Sequence, residues 1–92
     1  MMIKFNETEL TGNWILKDGT LIEDEVSMRI KFLIANKLTE ISTDSTGWRK
    51  LYKDPNDNRY WELSYPHSDL QGGGPPLLKN LSENEARSIY DF

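Results

Sequence analysis

Apolar residues recur along the chain at two different spacings, and the switches between them mark out the elements. Leu10-Thr11-Gly12-Asn13-Trp14-Ile15-Leu16 reads as a short extended segment, closed by a Lys17-Asp18-Gly19-Thr20 turn in which Gly19 can take positive φ. From Asp24, a suitable N-cap, the residues Val26, Ile30, Leu33 and Ile34 fall on one helix face. Met28 and Phe32 lie off that stripe and predict burial on a second side. The helix is expected to stop near Asn36, because Thr39, Ile41 and Thr43 are β-branched at alternate positions and favour a strand from Leu38 to Asp44.

Asp44-Ser45-Thr46-Gly47 is turn chemistry, and the alternation that follows, Trp48, Lys50 and Tyr52 against Arg49, Leu51 and Lys53, predicts a second strand. Asp54-Pro55-Asn56-Asp57-Asn58 makes a tight connection, with Asp54 and Pro55 suited to open a type I turn and Asn58 able to adopt the left-handed conformation. In the third strand, Arg59 to Tyr65, the residues Trp61, Leu63 and Tyr65 share the core face, and Tyr60, Glu62 and Ser64 share the other. Residues 67 to 76 hold three glycines and two prolines and form no regular element. Leu77 to Leu81 is expected as an edge strand, and Ser82-Glu83-Asn84-Glu85 as a capping box that opens a short C-terminal helix through Ile89. The fold expected is α+β: a single small domain spanning residues 1–92, an antiparallel β-meander packed on one main α-helix, with a short C-terminal helix.

Composition narrows the function more than the fold. No cysteine is present, so disulfides, zinc-thiolate sites and cysteine nucleophiles are excluded together, in keeping with a reducing cytoplasm. The longest apolar run, Phe32-Leu33-Ile34-Ala35, is far too short to span a membrane, and no membrane association is expected. A net charge of -4 repels phosphate backbones, so direct nucleic-acid binding is not expected and a basic protein partner is easier to accommodate.

Each candidate chemistry fails on a named residue. Asp54, Asn56 and Asn58 have the opening of a calcium loop, but Arg59 stands where that loop needs glycine and Tyr65 where it needs glutamate, leaving a hairpin turn. His67-Ser68-Asp69 holds the residue types of a hydrolase triad, whose members converge from separate segments rather than from neighbouring positions. A single histidine also precludes a multi-histidine metal site. Gly72-Gly73-Gly74 could nest a phosphate, yet no Lys-Ser/Thr pair and no helix start follows it. No catalytic residue, cofactor or metal is expected. The Trp48 and Trp61 indoles are expected in the core or on a sheet face rather than as exposed anchors.

Several short motifs occur together: Leu10-Thr11-Gly12, Arg29-Ile30, Gly47-Trp48, Leu51-Tyr52-Lys53-Asp54-Pro55, Arg59-Tyr60-Trp61-Glu62 and Gly72-Gly73-Gly74-Pro75-Pro76. In combination, over roughly residues 10 to 90, they resemble the bacterial immunity protein 27 family. Asn58 stands where that family's Asp-Pro-x-Asp-Gly turn carries glycine, and asparagine is the next-best residue for the left-handed conformation. The resemblance implies a non-enzymatic antidote of a polymorphic toxin system, which binds the catalytic domain of its cognate toxin and occludes the active site. Were the toxin a basic nuclease, Asp54, Asp57, Glu62 and Asp69 could enter its phosphate groove, with His67 alongside. These five are the expected partner contacts. The alternative is an adaptor domain that docks a peptide or partner subunit on its sheet edge and Gly-Pro loop.

Overall fold

In the computed structural model, which describes residues 3–66 and 74–92, five strands form one antiparallel sheet. In chain order the elements are β1 (Glu9–Thr11), β2 (Trp14–Lys17), β3 (Thr20–Glu23), α1 (Glu25–Asn36), β4 (Thr39–Thr43), β5 (Lys50–Lys53), β6 (Tyr60–Ser64), β7 (Leu77–Leu81) and α2 (Glu83–Ile89). The main sheet runs β1-β7-β6-β5-β4, and β2 pairs only with β3. The fold is a small α+β domain, with the meander extended at one edge by β1.

Two strand assignments differ from expectation. The extended segment breaks at Gly12-Asn13, so that β1 joins the main sheet and β2 leaves it. A Cβ on Gly12 would sit 2.3 Å from the Ser27 hydroxyl and 2.9 Å from the Pro76 carbonyl oxygen, to which the Gly12 amide donates at 2.9 Å. The chain thus passes the first turn of α1 at a distance only glycine permits. Leu77–Leu81, expected at an edge, is interior because β1 covers its free side, with Glu9 opposite Lys79 and Thr11 opposite Leu77.

The alternation along β6 sorts the core into two layers. Trp61 and Leu63 join Leu10, Ile30, Leu33 and Leu78 beneath α1. On the opposite face Leu51 and Leu81 meet Ala86 and Tyr90 of the C-terminal segment. Between Glu40 and Ser42 a β-bulge shifts the register of β4, which accompanies the packing of Ile41 against that second cluster. The α1 stripe packs as its spacing predicts, whereas Met28 and Phe32 are exposed, because only one side of α1 meets the sheet.

Both helices carry the caps legible in their sequences. The Asp24 carboxylate accepts from the Ser27 amide at 2.8 Å, and α1 closes where the Lys37 and Leu38 amides both donate to the Leu33 carbonyl. Ser82 and Glu85 exchange both bonds of a capping box. The segment before β1 is fastened by two arginines. Arg29 forks onto both Glu7 carboxylate oxygens at 2.7 Å. Arg59 donates to the Glu7 and Lys4 carbonyls, pairs with Asp57 at 2.7 Å, and lies 4.9 Å above the Trp61 ring.

Candidate partner interface

Strand register brings three connections to one end of the main sheet. Thr11, Leu77 and Ser64 lie side by side there, and Lys50 and Thr43 continue the row. From this row emerge the β2–β3 hairpin after Thr11, the described ends of the β6–β7 connection (Tyr65-Pro66 and Gly74-Pro75-Pro76), and the Asp44–Gly47 turn between β4 and β5. At about 4.8 Å per strand, the row is roughly 20 Å wide, the scale of one side of a protein interface.

The Asp44–Gly47 turn is built around one carboxylate. Asp44 accepts from the Thr46 hydroxyl at 2.8 Å, the Gly47 amide at 3.0 Å and the Arg49 side chain at 3.0 Å. Burial works to raise its pKa, but the hydrogen bonds from Thr46 and Arg49 and the Arg49 charge prevail and hold it at about 2. Gly47 takes φ 80°, and the chain leaves the turn with the Trp48 indole directed outward. Trp48 is 71% exposed, against the expectation of a core or sheet-face position. With Gly47, Ile34, Lys50, Tyr52, Leu63 and Tyr65 it lines a cleft of about 240 Å³. Tyr65, expected on the core face, stands at the rim of this cleft and is partly exposed. Small-molecule and cofactor pockets run to about 300–1,000 Å³, so the cleft is scaled to a side chain rather than to a cofactor. Lys50 is tied to Glu40 at 3.2 Å, and burial is the main cause raising the Tyr52 pKa.

The expected contact residues do not converge on this face. Asp54 and Asp57 sit in the β5–β6 turn, at the opposite end of the sheet. The Asp54 carboxylate caps the Asn56 amide at 2.9 Å, and Asp57 accepts from both the amide and the guanidinium of Arg59. Asn58 takes φ 63°, the left-handed conformation its sequence position predicts. Glu62 lies mid-sheet on the α2 face. It is buried, accepts from the Tyr90 hydroxyl at 2.8 Å, and stands 3.5 Å from Arg49. Burial first, and then the bond to Glu62, pushes the Tyr90 phenol well above its usual range. All three carboxylates are engaged within the chain. His67 and Asp69 lie outside the described residues, as do Gly72 and Gly73 of the glycine run.

Sequence reading missed the β2–β3 hairpin, although its signal was present. Asp18-Gly19 separates Ile15-Leu16 from Leu21-Ile22, and both turn residues take positive φ, 52° and 77°, as a type I′ hairpin requires. Reading the dipeptide as the end of one segment concealed the second strand.

Several of the family motifs belong to the framework, whereas Gly47-Trp48 and the described part of the Gly-Pro run lie at the exposed end. Gly12 allows the close approach to α1, Arg59 fastens the N-terminal segment, and Trp61 and Glu62 hold the two helical layers from opposite faces of β6. No group of three or more potential metal ligands occurs among the described residues, and no helix among them is long and apolar enough to cross a membrane. No curated protein and no solved structure is significantly similar to the chain. The profile of immunity protein 27 matches residues 16–82, more than two thirds of the sequence, and the chain therefore belongs to the immunity protein 27 family.

Proposed function

We propose that this protein is the antidote of one bacterial toxin, which it neutralises in the cytoplasm by binding the toxin's catalytic domain and occluding the active site, with no chemical step of its own. Membership of the immunity protein 27 family is the observation that carries this reading. The sheet end supports it: an exposed tryptophan and a tyrosine beside a side-chain-sized cleft are the residue types that dominate binding energy at protein interfaces. His67 and Asp69, which follow Tyr65-Pro66 in the chain, are assigned to the contact. Asp54, Asp57 and Glu62 act behind it by holding the strands in place. A basic nuclease is the toxin class that best complements the acidic balance of the chain.

Co-expression with the toxin encoded beside this protein tests the reading. Host survival together with a complex on gel filtration is the expected result. An unprotected host and separate elution would reject it. The Trp48 cleft also favours a second reading, a domain that docks a peptide by one inserted side chain. A pull-down that returns many unrelated partners would support that alternative, whereas one tightly held toxin excludes it.

A further inference from the structure

The β2–β3 hairpin is an arm without a core of its own. Ile15 faces Ile22 and Leu16 faces Leu21, and the two pairs project to opposite sides of the ribbon. All four are exposed in the described structure, Leu16 at 72%, Leu21 at 64%, Ile15 at 45% and Ile22 at 36%. A two-stranded ribbon is at best marginally stable in water unless another layer covers it, and neither β2 nor β3 pairs with the main sheet. What holds the arm is its I′ turn and its base, where the Asp24 amide donates to the Asn13 carbonyl at 3.1 Å. Edge strands are ordinarily guarded by proline, a bulge or charges, and this ribbon has no proline or bulge, its charges Lys17 and Glu23 standing only at the strand ends.

Charge selects among the possible occupants. Between Trp14 and Glu25 the chain carries Asp18, Glu23, Asp24 and Glu25 against Lys17 alone. Lys31 pairs with Glu23, and Asp24 caps α1, but Asp18 and Glu25 remain exposed. By contrast, around the Trp48 cleft the charges are matched, Lys50 with Glu40 and Arg49 with Asp44 and Glu62. A second copy would bring the same acidic shoulder against itself, whereas a basic surface with an apolar centre is matched in both respects. The arm also leaves the sheet at the end that carries Trp48 and Tyr65, so one partner surface can meet all of them.

Resting on the antidote reading above, we infer that the β2–β3 arm is a docking element for the toxin, and that it takes an apolar patch ringed by lysine or arginine. The experiment measures binding of the purified toxin domain to the whole protein, to Leu16→Ser/Leu21→Ser, and to Asp18→Asn/Glu25→Gln. The first variant is expected to bind at least ~30-fold more weakly with an unchanged melting temperature, as truncation of a buried anchor does. The second is expected to associate several-fold more slowly at low salt, with the difference vanishing at high salt. Should the first variant fail to fold, hydrogen exchange on the wild-type complex decides: the amides of residues 14–23 must gain protection. Wild-type binding that both variants retain, or no protection of the arm in the complex, overturns the inference and leaves the antidote reading intact. A free protein that dimerises through Leu16 and Leu21 overturns it in favour of a second copy. Absence of wild-type binding to the toxin removes the antidote reading, and the inference with it.

Discussion

Two tryptophans thirteen positions apart do opposite things. Trp61 is fully buried in the α1-face core, with the Arg59 guanidinium above its ring, and its indole N–H has no hydrogen-bond acceptor among the described residues. The Trp48 indole stands on the outside of a turn that the residue joins only through its amide, which donates to the Thr46 hydroxyl at 3.1 Å. The first belongs to a framework that would be recognisable with any partner; the second gains little from folding and becomes useful only when something covers it. The contrast extends to whole regions. The framework carries the motif residues Gly12, Arg59, Trp61 and Glu62, whereas the exposed end carries Gly47-Trp48 and apolar and aromatic groups with no layer above them.

The largest effect expected from this contrast is a split between two otherwise identical substitutions. Trp61→Ala removes a side chain that is wholly enclosed and should cost about 3–5 kcal/mol, enough to unfold much of a domain this small. Trp48→Ala should change stability by no more than about 0.5 kcal/mol and yet weaken toxin binding by at least about 1 kcal/mol. Urea denaturation and titration calorimetry on the two variants check both halves. A destabilised Trp48→Ala protein would mean that the turn depends on the indole after all.

Next in size is the pH dependence of the N-terminal fastening. The hydrogen bond from Arg29 is the leading cause that lowers the Glu7 pKa from 4.5 to about 2. A carboxylate depressed on folding contributes stability that is fully present above its unfolded pKa and is lost as pH falls toward the folded value. Glu7 should therefore supply about 2 kcal/mol at neutral pH, after allowance for its partial exposure, and lose it between about pH 4.5 and 2. Glu7→Gln should lower the urea midpoint at pH 7 and converge with wild type near pH 2. If the two proteins differed equally at both pH values, the Arg29 pair would not be the source.

How far the chain could be read before folding follows the same division. Elements fixed by local chemistry were legible: the Asp24 and Ser82 caps, the α1 stripe, the left-handed Asn58, the alternation that buries Trp61 and Leu63. Features settled by distant neighbours were not. That Leu77–Leu81 is interior depends on β1, which lies more than sixty residues earlier in the chain. The inward commitment of Glu62 depends on Tyr90, just past the end of a helix whose position no periodicity reports. Exposure of Trp48 was equally hidden, because alternation tells which residues share a face and not where a sheet stops being covered.

The Glu62–Tyr90 bond gives a smaller test of the framework half. Tyr90→Phe keeps the packing and deletes one donor from a buried carboxylate that still has Arg49 3.5 Å away, so the cost should be about 1–2 kcal/mol. The framework reading also requires that toxin affinity stay constant at temperatures where the variant remains folded. A variant with unchanged stability but weakened binding would move Glu62 back to the contact face.

The smallest expected effect sits at Asn58. With φ at 63°, this residue occupies the conformation that glycine adopts freely, that asparagine tolerates and that alanine resists. Its amide also closes the turn by donating to the Asp54 carbonyl at 2.7 Å. Asn58→Gly should therefore change stability by less than about 0.5 kcal/mol, because relief of backbone strain is offset by the greater freedom of an unfolded glycine. Asn58→Ala should cost about 1 kcal/mol, since alanine keeps a Cβ and tolerates the left-handed conformation less well than asparagine. Neither should alter toxin binding, because the β5–β6 turn is at the far end of the sheet from Trp48 and the arm. Comparison of the three proteins by urea denaturation and by calorimetry isolates the backbone contribution. A loss of affinity in either variant would place the contact at the Asp54–Asn58 turn and reverse the assignment of the two ends.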